Sequence, residues 1–226
     1  LITDMSEKNQ QPKKKYRNAS ILLFARSPVL GMVKTRLSKA LTKLEILSLY
    51  ESMFEHIICL LDKSNLAEIQ LWLDGELSAK NKVIPDLPAS FTLRQQVSGN
   101  LGEKMSFAIR QTLNFENSDS AIIIGVDCPA LSSDYLDRAL QYLQDGVALV
   151  LGPAEDGGYV LIGMNGNYPE IFEDISWGTS NVLKETIVKA EQIGLDYFCL
   201  EPLWDVDRPD DLVRLSELEP VFKWIK

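Results

Sequence analysis

From Ser20 onward, short apolar runs alternate with stretches of helical period, and this alternation constrains the fold more than any other feature of the chain. Strand-length runs stand at 20–25, 68–74, 92–97, 120–126, 147–151, 159–163 and 196–200. Between them, Leu47, Tyr50, Phe54, Ile57 and Leu61 mark one amphipathic face. Leu136, Leu140 and Leu143 mark a second, and Val182, Leu183, Thr186, Ile187 and Ala190 a third. Strands that alternate with helices imply an α/β fold whose mainly parallel sheet is covered on both faces. The link between 147–151 and 159–163 is short and Gly/Pro-containing, too short for a parallel crossover, so one strand is expected to run antiparallel. With no repeat and no internal linker, residues 20–226 are expected to form a single domain.

The first nineteen residues differ in kind. Five cations (Lys8, Lys13, Lys14, Lys15, Arg17) stand there against two acids (Asp4, Glu7) amid Gln and Asn, so residues 1–19 are expected to be a disordered leader. The chain as a whole is acidic, with 23 Lys plus Arg against 32 Asp plus Glu and a net charge of −9. A nucleic-acid partner is therefore not expected, and any anionic ligand must be held by a local group of cations. Apolar stretches such as 122–124 and 148–151 fall far short of the ~18 residues of a membrane helix. Three widely spaced cysteines, Cys59, Cys128 and Cys199, suggest neither a disulfide framework nor a zinc ribbon and fit a reducing cytoplasm. His56, the one histidine, lies among Met53, Phe54, Ile57 and Leu61 in a helical pattern, which points to packing rather than to triad or multi-His chemistry.

In open α/β sheets ligands sit at the carboxyl ends of the strands, so chemistry is sought in the segments that follow them. After the first run comes Ala25 through Leu37, where Pro28 and Gly31 open a loop and Arg26, Lys34 and Arg36 supply three cations. Such a loop can cradle a pyrophosphate through backbone N–H groups and side-chain charge, or it can be a solvated surface loop. Val33 before Lys34-Thr35 excludes a Walker loop. After 120–126 comes Asp127-Cys128-Pro129: a carboxylate placed to hold Mg²⁺ or Mn²⁺ against phosphates, or one that caps the helix near Ser132. Cys128 has no basic partner in sequence and reads as a quiet thiol. Glu155 and Asp156, between Gly152-Pro153 and Gly157-Gly158, can meet the hydroxyls of an acceptor or form a polar hairpin turn. Asp205 and Asp207 alternate onto one side of an extended segment, so either can face a metal, while Asp207 before Pro209 can equally be a helix cap.

Taken together, Phe24 to Pro28 with Lys34 to Leu37, Gly99 to Met105, Ile124 to Pro129, Leu151 to Tyr159, Trp177-Gly178-Thr179 and Asp205 to Leu212 resemble a bacterial glycosyltransferase-like family. Its members are often labelled arsenosugar-biosynthesis glycosyltransferases, within the nucleotide-diphospho-sugar transferase superfamily. The six ordered motifs span about residues 20–215. The resemblance implies a glycosyltransferase A type, Rossmann-like three-layer fold, a nucleotide or nucleotide-sugar donor, a small-molecule acceptor and a divalent metal, Mg²⁺ or Mn²⁺. The opening loop is also similar to that of molybdenum-cofactor and phospholactate guanylyltransferases.

Carried over residue by residue, the resemblance implies that Arg26, Gly31, Lys34 and Arg36 bind the nucleotide phosphates, Asp127 and Asp207 hold the metal, and Glu155 and Asp156 face the acceptor. Three positions depart from the family pattern: Arg26 replaces the usual Lys, Leu30 the usual Pro and Asn100 the usual Asp. Glycosyl transfer from a nucleotide diphospho-sugar is the leading expectation. Nucleotidyl transfer with release of pyrophosphate and non-catalytic nucleotide sensing are the alternatives.

Overall fold

The computed structural model describes residues 13–75, 87–116, 118–218 and 222. Among the described residues seven strands, β1 (Ala19–Arg26), β2 (Glu68–Asp74), β3 (Phe91–Gln95), β4 (Ser120–Gly125), β5 (Leu149–Pro153), β6 (Tyr159–Met164) and β7 (Tyr197–Cys199), form one sheet. Their order across it is β3-β2-β1-β4-β6-β5-β7. β6 runs antiparallel to both β4 and β5 while the other pairings are parallel, so the one reversed strand is the partner of the short 154–158 hairpin, as expected from its length.

Helices α1 (Lys43–Ser64), α2 (Leu101–Phe115), α3 (Ser133–Gln144), α4 (Val182–Gln192) and α5 (Asp211–Ser216) complete the layers. α1 and α3 bury Phe54, Leu61, Leu136 and Leu140 against Ile21, Leu23, Ile122 and Ile124 on one face. α2 and α4 bury Met105, Ile109 and Ala190 with Leu22, Trp72, Ile123 and Ile162 on the other. Residues i and i+2 of each strand serve opposite layers from their neighbours, which is why β1 and β4 read as unbroken apolar runs. Each fully buried Leu, Ile or Phe contributes about 1.5–3 kcal/mol, and a core of this extent needs no covalent staple.

One sequence expectation changes here. By composition residues 15–19 group with the leader, yet Tyr16 is buried, its backbone N–H donates to Leu66 O at 2.7 Å and Lys15 pairs with Asp137. One aromatic anchor outweighs the surrounding charge; residues 1–12 lie outside the described part of the chain. Helix α2 fills the interval between β3 and β4, although none of the three amphipathic faces read from the sequence marks it. Asn100 is its N-cap, and Asn100 and Glu103 form a capping box in which each side chain accepts the other's backbone N–H. Asn100 thus does at this turn what a carboxylate could also do: its side-chain oxygen accepts a hydrogen bond at the N-cap.

Among the described residues no helix is long and apolar enough to cross a membrane.

Candidate active site

The strand order turns back between β1 and β4: β1, β2 and β3 are laid down outward on one side, and β4 starts on the other. The crevice at their carboxyl ends is the switch point where such sheets bind ligands. It forms a cleft of about 760 Å³ whose walls come from the ends of β1, β2 and β4, the loop after β1, the start of α2, the β5–β6 hairpin and the segment before α5.

The cation loop reaches it through strained backbone. Lys34 adopts φ 44, ψ 41, a left-handed conformation that costs a non-glycine residue about 1–3 kcal/mol and that starts the 3-10 turn at 35–39. Its side chain, only 9% exposed, carries the ammonium to 2.8 Å from Asp127 Oδ2. Two residues on, Arg36 Nη1 meets Asp207 Oδ2 at 2.6 Å. Asp127 and Asp207, eighty residues apart in sequence, are tied by Val206 N–H donating to Asp127 O at 2.9 Å. Asp207 is not the cap of α5; Asp211 Oδ2 instead accepts from the N–H groups of Asp207 and Arg208 and fixes the turn. Likewise α3 is capped by Ser132, which leaves the Asp127 carboxylate to the cleft.

Asp156 and Asp205 line the same cleft. Burial pushes the Asp205 carboxyl up to about 6; nearby Lys34 opposes this, and Asp156, Asp127 and Asp207 reinforce it. Burial sets this shift more than the neighbouring charges do, so the Asp205 carboxyl is one withdrawn from water. Among the described residues Asp127 Oδ1 is buried with no hydrogen-bond partner, and oxygen-only donors of this kind suit a hard divalent cation. Among the described residues, however, no three His, Cys, Asp or Glu side chains converge closely enough to hold a metal ion, and Asp127 and Asp207 are each paired with a cation, Lys34 and Arg36.

Of the remaining expected residues, Arg26 lines the cleft, and its N–H and C=O are clamped by the Tyr50 hydroxyl at 2.9 Å each. Gly31 does not line it; with φ 77 it serves the turn that precedes Lys34. Glu155 also turns away, held by Arg214 at 2.7 and 3.0 Å, and that guanidinium lies over the Trp204 ring. Its carboxyl sits below the ordinary range because of this pairing. Cys128 is buried and its thiol is pushed up to about 12, chiefly by burial, as befits an inert cysteine. Two cleft residues escaped the sequence reading: Asp74 at the end of β2 and Lys104 near the start of α2, paired at 2.9 Å. The post-strand rule applied to β2, and the capping box at Asn100, would have found both.

In structure, a candidate nucleotide-diphospho-sugar transferase from Desulfovibrio desulfuricans G20 matches with a TM-score of 0.79 at 26% identity, over 90% of this chain and 89% of that one. Rv0371c of Mycobacterium tuberculosis H37Rv, in complex with manganese, matches with a TM-score of 0.55 at 15% identity, over 92% of this chain and all (100%) of that one. The 4-diphosphocytidyl-2C-methyl-D-erythritol synthase of Anaerococcus prevotii DSM 20548 gives 0.57 at 8% identity, over 88% and 96%. The last two share the fold alone. The nucleotide-sugar transferase type of fold expected from the motifs is thus the fold observed. No curated protein matches the sequence. The bacterial family described as "Uncharacterized protein conserved in bacteria (DUF2064)" matches residues 59–179, more than half of the 226 residues, and the chain belongs to it.

Proposed function

We propose that the protein is an enzyme, a metal-dependent transferase that takes a nucleotide diphospho-sugar as donor and passes the sugar to a small-molecule acceptor. The meeting of Lys34, Arg36, Asp127 and Asp207 in one crevice at the β1/β4 switch point carries this reading. The match to the Desulfovibrio protein supports it, and the six ordered motifs favour the arsenosugar-biosynthesis type within the superfamily. The three cysteines are unpaired, which accords with a cytoplasmic setting.

The two ion pairs define how the site works. A diphosphate offers Lys34 and Arg36 better acceptors than the carboxylates they hold in the free protein, because its charge is greater and its oxygens match the guanidinium fork. As the cations move onto the phosphates, Asp127 and Asp207 would be free to hold a divalent cation, which would give the unpartnered Asp127 Oδ1 a partner. When bound, that cation neutralises the charge of the leaving nucleoside diphosphate. Lys34 and Arg36 neutralise the same charge directly. Asp156, in the cleft, accepts the proton of the acceptor hydroxyl; Glu155, committed to Arg214, does not. Asp156 is itself oriented by Gly158 N–H donating to its Oδ1 at 2.9 Å.

Incubation with a panel of sugar nucleotides and nucleoside triphosphates, with and without Mn²⁺, tests the proposal. Metal-dependent release of a nucleoside diphosphate from a sugar nucleotide is expected. Pyrophosphate released from a triphosphate in the presence of a sugar phosphate would assign nucleotidyl transfer instead, and stabilisation by nucleotide without turnover would assign sensing.

A further inference from the structure

The cleft has a second charged end, apart from the groups that meet the diphosphate and the acceptor. Asp74 and Lys104 meet there at 2.9 Å, and the lysine side chain is only 14% exposed. Alternation along β2 puts Asp74 on the face of Trp72, toward α2, where Lys104 stands. Phe24 and Met105 add apolar surface, and Gln96 is pinned as a wall by Nε2 donating to Trp72 O at 2.9 Å and Ala25 O at 3.3 Å. β2 and β4 flank β1, so at ~4.8 Å per strand this end lies about 10 Å from the Asp127 end, the span between the base and the phosphates of a nucleotide.

An apolar shelf edged by a fixed acceptor and a fixed donor suits a nucleobase, whose faces are apolar and whose edge is polar. A ribose hydroxyl needs the acceptor but no cation beside it. Resting on the nucleotide reading above, we propose that Asp74 and Lys104 read the base of the bound nucleotide and that they select guanine. A carboxylate has two acceptor oxygens and no donor, and an ammonium only donates. On its Watson–Crick edge guanine alone offers two adjacent donors, N1–H and the 2-amino group, with the acceptor O6 next to them. Asp74 takes the first two and Lys104 the third. Adenine and cytosine present one amino group beside ring acceptors, and uracil one N–H between two carbonyls, so each turns a lone pair toward an Asp74 oxygen.

Calorimetric titration of GDP, IDP, XDP, ADP, UDP and CDP in the presence of Mn²⁺ decides this. The wild-type protein should bind GDP at least tenfold more tightly than ADP, UDP or CDP. IDP, which lacks the 2-amino group, should lose about five- to a hundredfold, as one bidentate base contact is worth ~1–3 kcal/mol. Asp74→Asn supplies one acceptor and one donor, so it should lose GDP and gain XDP, whose 2-carbonyl replaces the amino group; a misfolded variant cannot gain a ligand. Equal binding of all bases, or a preference for another, overturns the guanine assignment and leaves the nucleotide reading in place. So does an Asp74→Asn variant that weakens every nucleotide alike, which would assign Asp74 to the ribose. Failure of every nucleoside diphosphate to bind overturns the nucleotide reading itself, and this inference with it.

Discussion

Asp127→Asn separates the two roles of the Asp127 carboxylate, as partner of Lys34 and as ligand to a divalent cation. In the free protein the change leaves the Lys34 ammonium in its site, 9% exposed, with an amide in place of a charged partner at 2.8 Å. Breaking a fully buried ion pair costs about 3–5 kcal/mol. The Asp127 side chain is 38% exposed, so solvent screening reduces that to about 1–2 kcal/mol, which lowers the melting temperature of a domain this size by roughly 2–8 °C. For the wild-type protein, a nucleoside diphosphate with Mn²⁺ at ~100 times its Kd adds about 2.7 kcal/mol, or roughly 5–11 °C. The variant should lose the Mn²⁺-dependent part of that shift entirely. Its metal-free binding of the diphosphate should persist or strengthen, because Lys34 no longer has a carboxylate to leave. Thermal melts of both proteins with and without nucleotide and Mn²⁺ give all four numbers. An Asp127→Asn protein that keeps the full Mn²⁺ increment would refute the assignment and return Asp127 to a structural role.

Arg36→Ala should weaken diphosphate binding several-fold while moving stability by no more than about 0.5 kcal/mol, since its side chain is 61% exposed; nucleotide titration alongside a melt checks both. Gly157→Ala should destabilise by at least about 2 kcal/mol, because φ is 92 there and an added Cβ overlaps the backbone of Ser180; chemical denaturation measures it. Alkylation at pH 8 followed by mass spectrometry should label exposed Cys59 first and leave Cys128 unmodified until the protein unfolds, because burial holds that thiol at about 12.

Much of the fold is legible in sequence for a physical reason. Strands buried on both faces must be apolar at successive positions, so β1 and β4 announce themselves, and the brevity of the 154–158 link alone implies the reversal of β6. α2 hides because its apolar face is interrupted by Gly102, whose bare backbone lies so close to Phe172 O and the Trp177 ring that a Cβ would overlap them. Periodicity cannot see a close approach, although the Asn100/Glu103 pair marks the start. Tyr16 shows the same limit at the other end, where a single anchor is lost among lysines. In the site, Lys34, Asp127 and Asp207 follow from the rule that strand ends carry chemistry. The separation of Asp156 from Glu155 does not: it depends on Arg214, fifty-nine residues away in sequence, reaching back to take Glu155 out of the cleft.

The central claim is that these cations and carboxylates exchange partners around one diphosphate. A crystal structure of the protein with Mn²⁺ and a nucleoside diphosphate tests it most directly. The account predicts the Lys34–Asp127 and Arg36–Asp207 contacts opened, both cations on phosphate oxygens, and the metal between the phosphates and the two aspartates. A nucleotide bound elsewhere, or bound here with both ion pairs intact, would contradict it.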